Sequence, residues 1–495
     1  MSTLRHLAAR PTSAGAAQRW PLALTLAGLV MAGAFAGMVA LHHLRRQTVA
    51  FLGLYALAYV AFGVAICRVL RRSRQHEGSA DSRALALVLA LAVLFRVILL
   101  FTSPPTLSDD VYRYIWDGRL MNAGINPYAF AVNSPQLDAL ASPLRHLVNH
   151  NWMATPYLPA AQALFAVVYR IAPESALGFQ VTAVLCDLLT GVLLIDLLRH
   201  LRRPVLWATL YLWNPLVIVE FAHGAHVDAW MILALVTAVW ALLVAGEHSR
   251  WLSVVALSVA TLVKPVPALL LPLFARRWGW RRSGLYVLLC LLLLWPFAQG
   301  AGWGLSGALD GTGVFGATRI YAAQWNYNSS VFHWTEAALA SIRGTSLPGP
   351  EASSWPARMA RVLVAAALAA VELGVWRRAS SALDDRFWLR WTIIPLGAYI
   401  LLTTTVHPWY IAVVLPLLPF VLSGSEGERI STRLVWPWLY LAGAVALSYM
   451  TYRDPANLRD YAWVRVIEYV PFYLLLGWAT WPAIAGAQRA AAPKC

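Results

Sequence analysis

The chain has 495 residues, of which 59% are hydrophobic and only 13% are charged, and its formal net charge is +16 at pH 7. A soluble protein of this length could not bury so much apolar surface, whereas a lipid bilayer can hold it. The positive charge does not indicate a nucleic-acid partner, because the basic residues lie in short segments between apolar runs, where they orient a membrane protein.

Three apolar runs open the chain, at residues 21–41, 49–70 and 84–102. Each is long enough for a helix that crosses about 30 Å of hydrocarbon, and lipid offers the backbone no other partners. The first run follows three arginines like a signal peptide, but it is long and is followed by the basic sequence HHLRRQ, so we favour a retained anchor. We expect an all-α polytopic membrane protein with a bundle of about 12–14 transmembrane helices.

Arginine-rich segments predict which side of the membrane each connection faces. The segments expected in the cytoplasm are residues 71–83, 198–203, 276–282, 377–390 and 429–433. With the N-terminus inside, residues 103–175 and 299–356 then form two long outward loops that carry juxtamembrane helices, and the C-terminus returns to the cytoplasm.

Two segments require a special interpretation to keep this order. Residues 157–172 are short for a span and follow Pro156 with Pro159 near their start, so we expect an outward helix that lies along the membrane. In residues 251–277, Lys264 is followed by Pro265 and Pro267. A lysine at the bilayer centre costs about 3 kcal/mol and prolines break helices, so we expect two short helices that meet at an outward turn around Lys264.

The predicted outward side collects most of the unusual polar residues. The sequence SDDVYRYIWDGRLMNAGINPY (residues 108–128) contains Asp109, Asp110, Arg113 and Asp117. The other members are Glu220, His223, His226 and Asp228 in LYLWNPLVIVEFAHGAHVDAW, Lys264, Arg319, Asn326 in QWNYNSS, and His407 and Tyr410 in TTTVHPWY.

Each of these features also has a purely structural interpretation. The adjacent aspartates are typical helix caps, and Lys264 is long enough to extend to lipid headgroups. His223 and His226 are typical of residues that bond backbone carbonyls at a helix end; with Asp228 they approach metal-ligand spacing but match no fixed zinc signature. It is the combination of carboxylates, cations and aromatic rings at one boundary that favours a functional site.

This combination fits the transfer of a phosphate-activated sugar to a hydroxyl group. Partial burial beside a second carboxylate raises the pKa of an aspartate and makes it a better base. Lys264, Arg319 and a histidine have the chemistry to hold a phosphate leaving group. A lipid-linked donor would place its tail between helices and its phosphate at the membrane boundary.

The sequence of residues 108–128 resembles the first outer loop of GT-C glycosyltransferases. It is most similar to the polyprenol-phosphomannose-dependent α-1,6-mannosyltransferases, whose loops read much like DVYRYIWDGR…GxNPY. The likeness continues in WNPLVIVEFAHGAHVDAW, TLVKPVPALLLP and HPWYIAVVLPLLP, in patches from about residue 109 to 419. One departure is AHVDAW, since those enzymes more often have Asn between the His and the Asp, which leaves the sugar and the acceptor open.

The resemblance implies an inverting glycosyltransferase in the bacterial inner (plasma) membrane, with its active site facing the periplasm or cell exterior. It would move a hexose, with mannose favoured, from a polyprenyl monophosphate to a glycan, a lipid or another envelope acceptor. The expected regions are 1–102 (three spans), 103–356 (GT-C-like catalytic core) and 357–495 (C-terminal transmembrane helices). No nucleic acid and no obligatory cofactor are expected, with a divalent ion (Mg²⁺ or Mn²⁺) on the paired aspartates as the open alternative.

The resemblance places the catalytic position in the first loop, and we expect Asp110 to be the base and Asp109 its partner, although their order stays open. Donor phosphate binding is expected of Lys264, Arg319, His407 and Tyr410. Sugar or acceptor binding is expected of Arg113, Asp117, Glu220, His223, His226, Asp228 and Asn326. The rival functions are a transporter or flippase of lipid-linked sugars, which usually has matched halves with interrupted helices, and a non-catalytic scaffold.

Overall fold

The computed structural model describes residues 13–75, 82–244, 246–305, 309–345, 354–379, 384–422, 432–454 and 458–491. Within these ranges the chain is helical, and its only strand-like pairing is an isolated bridge between Tyr327 and Thr405. The predicted all-α class is therefore confirmed.

The helices follow one another along the chain with short connections, apart from two long irregular segments. The α-helices are α1 (Ser13–Ala40), α2 (Thr48–Gln75), α3 (Ser82–Leu100), α4 (Asp110–Asn122), α5 (Pro159–Ile171), α6 (Ala176–His200), α7 (Thr209–Leu212), α8 (Pro215–Ile218), α9 (Asp228–Leu243), α10 (Arg250–Val263), α11 (Leu271–Trp278), α12 (Trp280–Ala301), α13 (Gly316–Gln324), α14 (Val331–Arg343), α15 (Trp355–Ala379), α16 (Asp385–Leu402), α17 (Leu418–Val421), α18 (Val435–Ala444) and α19 (Ala462–Ala491). Single 3₁₀ segments are Pro135–Leu140, Arg145–Leu147, Val205–Ala208, Val266–Leu270, Pro408–Val413, Leu415–Leu417 and Val445–Arg453, and Val219–His223 is a π-helical turn.

Several of these helices are long and apolar enough to cross a membrane, which confirms a polytopic membrane protein. In the described ranges there are six of them, within α1, α2, α3, α6, α12 and α15. Two helical stretches, Val205–Leu212 and Pro215–His223, together have the length of a seventh span but are bent by 55°. Pro215 begins the second stretch, where its missing N–H is not needed, and Asn214 caps it by accepting from the amide of Leu216 at 3.0 Å.

The helices in both of the segments that required a special interpretation are as short as the sequence predicts. Helix α5 has 13 residues and begins at Pro159, so it is too short to cross a bilayer. Helix α10 ends at Val263, Lys264 is extended (φ −145°, ψ 143°), and a 3₁₀ segment then leads into α11. The bend after Leu212 is a second interruption that the sequence did not lead us to expect.

Contacts between connections fall into two groups. In one group, Arg277 pairs with Asp385 and Arg386 donates to the carbonyl of Leu201 at 3.0 Å, so three of the basic segments meet. Residues 76–81 and 429–431 of the other two lie outside the described part of the chain.

The second group joins the two long segments and the turn before residue 408. The amide of Ala154 donates to the carbonyl of Asp310 at 2.9 Å, and that of Tyr327 donates to the carbonyl of Thr404 at 3.1 Å. We call the first group the basic end and this second group the acidic end, because it contains Asp109 and Asp110.

Candidate active site

Asp110 is the first residue of α4, where the unpaired N–H groups of a helix favour a negative charge. The amide of Asn149 donates to its Oδ1 at 2.8 Å, and the hydroxyl of Tyr157 lies 3.5 Å from its Oδ2. The side chain is 18% exposed. Burial raises the pKa of this carboxyl above its ordinary value, although the bond from Asn149 opposes the shift. Asp110 is therefore an enclosed, solvent-reachable carboxylate with the character of a general base.

Asp109 occupies the cap position before α4 but makes no side-chain cap bond. Instead the guanidinium of Arg45, in the turn between α1 and α2, donates to both of its oxygens at 2.9 and 3.0 Å. Arg45 also lies over the ring of Tyr452, 4.6 Å from its centroid. The two neighbouring carboxylates thus have different partners, and Asp109 anchors the start of α4 to the turn after α1.

His226 lies behind Asp110, with its ring fully buried. Its Nδ1 is 3.7 Å from Oδ2 of Asp110, and its Nε2 is 3.3 Å from Oε2 of Glu220. The hydroxyl of Tyr449 lies 2.9 and 3.0 Å from the two oxygens of Glu220. One face of the imidazole stacks on Trp409, with ring centroids 3.7 Å apart. A chain of polar groups therefore runs from Asp110 through His226 to Glu220 and Tyr449.

Lys264 brings a positive charge to the same region. Its ammonium donates to Oδ2 of Asp228, the first residue of α9, at 2.6 Å, and lies 4.9 Å from the centroid of the Tyr410 ring. The Tyr410 hydroxyl is 2.8 Å from that of Tyr321. Among the charges acting on Asp110 is that of Lys264. Lys264 therefore lies at the site, paired inside the protein, and does not extend to headgroups.

His407 lies in an aromatic stack on the same side. Its ring stacks on Trp409 with centroids 4.5 Å apart and on Tyr327 with centroids 5.0 Å apart. Burial and the nearby Lys264 lower the pKa of His407 to about 3, so its ring is neutral at ordinary pH. A neutral imidazole offers a phosphate one N–H bond and no charge.

Arg113 and Asp117 hold the first long segment in place. Arg113 donates to the backbone carbonyls of Asn149 and His150 at 2.7 and 2.9 Å and so positions the residue that binds Asp110. Asp117 is buried and accepts from Thr155 and, at 3.0 Å, from Gln162. Both side chains act on the loop that surrounds the carboxylate.

The remaining predicted residues have hydrogen-bond partners of their own. His223 has both ring nitrogens bonded, with Nδ1 2.6 Å from Thr102 Oγ1 and Nε2 accepting from the amide of Thr106 at 3.1 Å. Arg319 donates to the carbonyl of Gly304 at 3.3 Å. Asn326 donates to Glu336 at 3.1 Å, within the second long segment.

A divalent ion does not fit the paired aspartates well. Both oxygens of Asp109 are taken by Arg45, so the pair presents no shared set of ligands. His223 is likewise occupied by Thr102 and Thr106. In the part of the chain that the structure describes, no group of three or more His, Cys, Asp or Glu residues could hold a metal ion.

Sequence reasoning missed several residues of the site, namely Arg45, Asn149, Tyr157, Trp409 and Tyr449. Arg45 could have been noticed in the sequence, because HHLRRQ is a basic turn on the predicted outer side, where the positive-inside rule expects few cations. Tyr449 could not, because it is 229 residues away from Glu220 in the chain.

Comparison with known proteins gives a consistent picture. The family model described as alpha-(1->6)-mannopyranosyltransferase, N-terminal domain, matches residues 18–280, just over half of the chain. Alpha-(1->6)-mannopyranosyltransferase A of Corynebacterium glutamicum is 24% identical over 225 residues, which are 44% of this chain and 44% of the relative. The protein of the same name from Mycobacterium tuberculosis is 30% identical over 193 residues, 37% of this chain and 35% of the relative. Each match thus spans less than half of the relative's length, and no solved structure matches.

Proposed function

Because the chain belongs to the alpha-(1->6)-mannopyranosyltransferase family, we propose that it is a membrane-embedded glycosyltransferase. It transfers a hexose, with mannose favoured, from a polyprenyl monophosphate to a hydroxyl group of a glycan, lipid or other envelope acceptor. The observation that carries the proposal is Asp110, a carboxylate that is enclosed yet 18% exposed, close to the charge of Lys264.

The reaction is a single displacement at the anomeric carbon. Asp110 takes the proton of the acceptor hydroxyl as that oxygen forms its bond to the anomeric carbon. The bond from the carbon to the phosphate oxygen breaks, and the polyprenyl phosphate leaves with the electron pair. Because attack and departure take place on opposite faces of the carbon, the configuration is inverted.

Lys264 is the group proposed to hold the donor phosphate and to stabilise the charge that develops on it. Its ammonium points toward Tyr410, whose hydroxyl, with that of Tyr321, offers further bonds to phosphate oxygens. Asp228 keeps the lysine in place when no donor is bound. The scheme needs no divalent ion on Asp109, whose oxygens are taken by Arg45.

An aromatic surface is proposed to receive the acceptor. Trp152 is 39% exposed and stacks on Trp325, which stacks in turn on Tyr321. The rings of His150 and Trp325 meet at 74° with centroids 4.9 Å apart, and His150 is one residue from the asparagine that binds Asp110. Rigid aromatic faces beside a base favour a ringed acceptor such as a glycan.

The membrane position is part of the same proposal. We place the acidic end at the periplasmic or outer face of the plasma membrane and the basic end in the cytoplasm, as the positive-inside rule requires. A tag between Arg276 and Arg282 is then protected from outside reagents, while one near Pro135 is accessible. The reverse labelling pattern would overturn this placement.

The test of the function compares Asp110→Asn with Asp138→Asn in membrane vesicles supplied with a lipid-linked mannose donor. Asp138 lies in the same long segment but is 69% exposed, so it serves as the matched control. We expect Asp110→Asn to lose transfer by at least about 10²-fold and Asp138→Asn to retain it. Equal rates would remove Asp110 from the mechanism.

A transporter is the second candidate, because the structure has two interrupted segments, at Lys264 and after Leu212, a feature of transporters. The same vesicles distinguish it: movement of the donor across the membrane without a new glycosidic bond would favour transport.

A further inference from the structure

His226 is held between two carboxylates without completing a hydrogen bond to either. Its nitrogens lie 3.7 Å from Asp110 and 3.3 Å from Glu220, and neither has a hydrogen-bond partner within the described ranges. His223, three residues earlier, has both nitrogens bonded to threonines. What distinguishes His226 is that both nitrogens of one buried ring face a carboxylate, so each is available to bond it.

The backbone conformation around His226 brings its ring close to both Asp110 and Glu220. A Cβ atom at Gly224 would lie 2.6 Å from the backbone oxygen of Glu220 and 2.6 Å from Cδ2 of His226, so only glycine fits there. Ala225 has φ +56°, a left-handed conformation that is uncommon for residues other than glycine. Trp409 then covers one face of the ring. The ring position is thus maintained by a strained turn and a close approach.

We propose that His226 is a positioning residue that directs its Nδ1–H at Asp110, accepts from a protonated Glu220, and keeps Asp110 ready to accept the proton of the acceptor hydroxyl. The inference rests on the proposed function, since it assigns a role to residues around the same base. It replaces the expectation that His226 and Glu220 contact sugar or acceptor directly.

The hydrogen-bonding capacity of the three groups defines the resting arrangement. A neutral imidazole has one N–H and one acceptor nitrogen. With Nδ1–H directed at Asp110 and Nε2 facing a protonated Glu220, each ring nitrogen lies opposite a group of matching polarity. Tyr449 donates to the other oxygen of Glu220. Asp110 keeps the single negative charge. When the acceptor's proton moves to Asp110, the three groups become neutral, and the proton leaves through the exposed edge of Asp110 after the product departs.

The charges that face the imidazole from the neighbouring elements favour its neutral form. Burial and the charge of Lys264 lower the pKa of His226 well below its ordinary value. The neighbouring rings of His407 and His223 are themselves neutral. Asp110 opposes this shift from one side, and the protonated Glu220 on the other side adds no charge. A neutral ring is the form that can donate to one carboxylate while it accepts from the other.

The experiment measures kcat, the donor KM and the pH dependence of kcat for His226→Phe and His226→Asn in vesicles. Phe removes the donor, so we expect kcat to fall by about 10²-fold with the donor KM within about threefold of the wild-type value. Since the N–H bond favours the charged form of Asp110, its loss raises the pKa of that carboxyl and moves the acidic limb of kcat to higher pH. Asn keeps an N–H at the position of Nδ1, so it should recover most of both effects.

Controls and Glu220 variants complete the test. His248→Phe changes an exposed histidine of the basic end and should behave as the wild type. Glu220→Gln retains a donor toward Nε2 and should be more active than Glu220→Ala by about tenfold.

Four results would separate the possibilities. A wild-type pH profile and kcat for His226→Phe would overturn the inference and leave the proposed function standing. Equal losses for Glu220→Gln and Glu220→Ala would also overturn it, because an ionised Glu220 would then be required. If Asp110→Asn transfers sugar at the wild-type rate, Asp110 is not the base and the role of His226 fails with it. A wild-type chain that forms no glycosidic bond, in contrast, would mean that the proposed function itself fails.

Discussion

The ion pairs at the two ends of the helical bundle differ in how far they are buried. At the basic end, Arg250 and Arg282 pair with Glu247, which is 66% exposed, and Arg282 lies over the ring of Trp251. At the acidic end, Lys264 pairs with Asp228, which is 3% exposed. Arginines over tryptophans suit a membrane surface, where each side chain stays in contact with water and headgroups.

The difference shows that burial, and not the presence of charge, distinguishes the candidate site from an anchoring surface. An exposed ion pair contributes little to stability, whereas an enclosed one retains strong electrostatic effects on a bound substrate. Changes at the acidic end should therefore affect transfer or folding strongly, and matched changes at the basic end should not.

The largest effect is expected from removing the cation at Lys264. Lys264→Met should lower kcat/KM for the lipid donor by about 10²-fold, because the phosphate loses its charged partner, while the acceptor KM changes by less than about threefold. Initial rates at varied donor and acceptor concentrations measure both values.

Two further variants serve as controls for Lys264→Met. Lys264→Met leaves the buried Asp228 without a cation, which destabilises the fold. The double variant Lys264→Met with Asp228→Asn removes this unpaired charge, so a loss of donor kinetics that persists in it is catalytic. Arg282→Met removes a cation at the basic end and should leave the donor kinetics unchanged. Equal losses for donor and acceptor would argue against a phosphate role of Lys264.

The next largest effect is expected on stability, at the close contact between α4 and α5 beside the site. A Cβ at Gly118 of α4 would lie 2.5 Å from the backbone oxygen of Phe165 in α5. Gly118→Ala should therefore lower the free energy of unfolding by about 1–3 kcal/mol, because backbone cannot move aside as a flexible side chain can. Gly53 of α2 has open space around it, so Gly53→Ala is the control and should not destabilise. Thermal unfolding in detergent compares the two, and equal stabilities would show that α4 and α5 separate easily.

Much of the fold could be predicted from the sequence where one local signal dominates. The lengths of the first three apolar runs predicted α1, α2 and α3, and Lys264 with its two prolines predicted the end of α10. The bend after Leu212 was missed, because hydropathy is high on both sides of Pro215 and conceals the break. Apolar length predicts that a segment is buried in lipid but not that it is straight.

The candidate site, like the fold, could be predicted from the sequence only in part. Asp110 could be predicted from its motif and from its place after a span. The contacts that give it chemical character could not, because Asn149 and His226 approach it from segments 39 and more residues away. Asp109 is a residue of the same type in the next position, yet Arg45 gives it a different role. Tertiary contacts, which no local pattern shows, decide between two such neighbours.

A smaller effect is expected from removing the side chain of Asn149, the neutral hydrogen-bond partner of Asp110. Asn149→Ala removes the amide that donates to Asp110 and favours its charged form, so the pKa of Asp110 should rise further. Because a base must be ionised to act, the acidic limb of kcat should move to higher pH, with a loss of only about two- to fivefold at neutral pH. Asn122→Ala removes a different amide, which bridges α4 and α5, and should leave the pH profile in place. A shift to lower pH in Asn149→Ala would contradict the assigned hydrogen bond.

The smallest effect is expected at the basic end, from Glu247→Gln. This change removes the charge that faces Arg250 and Arg282, whose side chains are 35% and 18% exposed. Water and salt screen such pairs, so the free energy of unfolding should change by less than about 0.5 kcal/mol, and the change should vanish at high salt. Thermal unfolding in detergent at two salt concentrations measures it, with transfer activity as a second reading. A loss of several kcal/mol, or of transfer, would mean that the basic end encloses its charges as the acidic end does, and the contrast between the two ends would no longer hold.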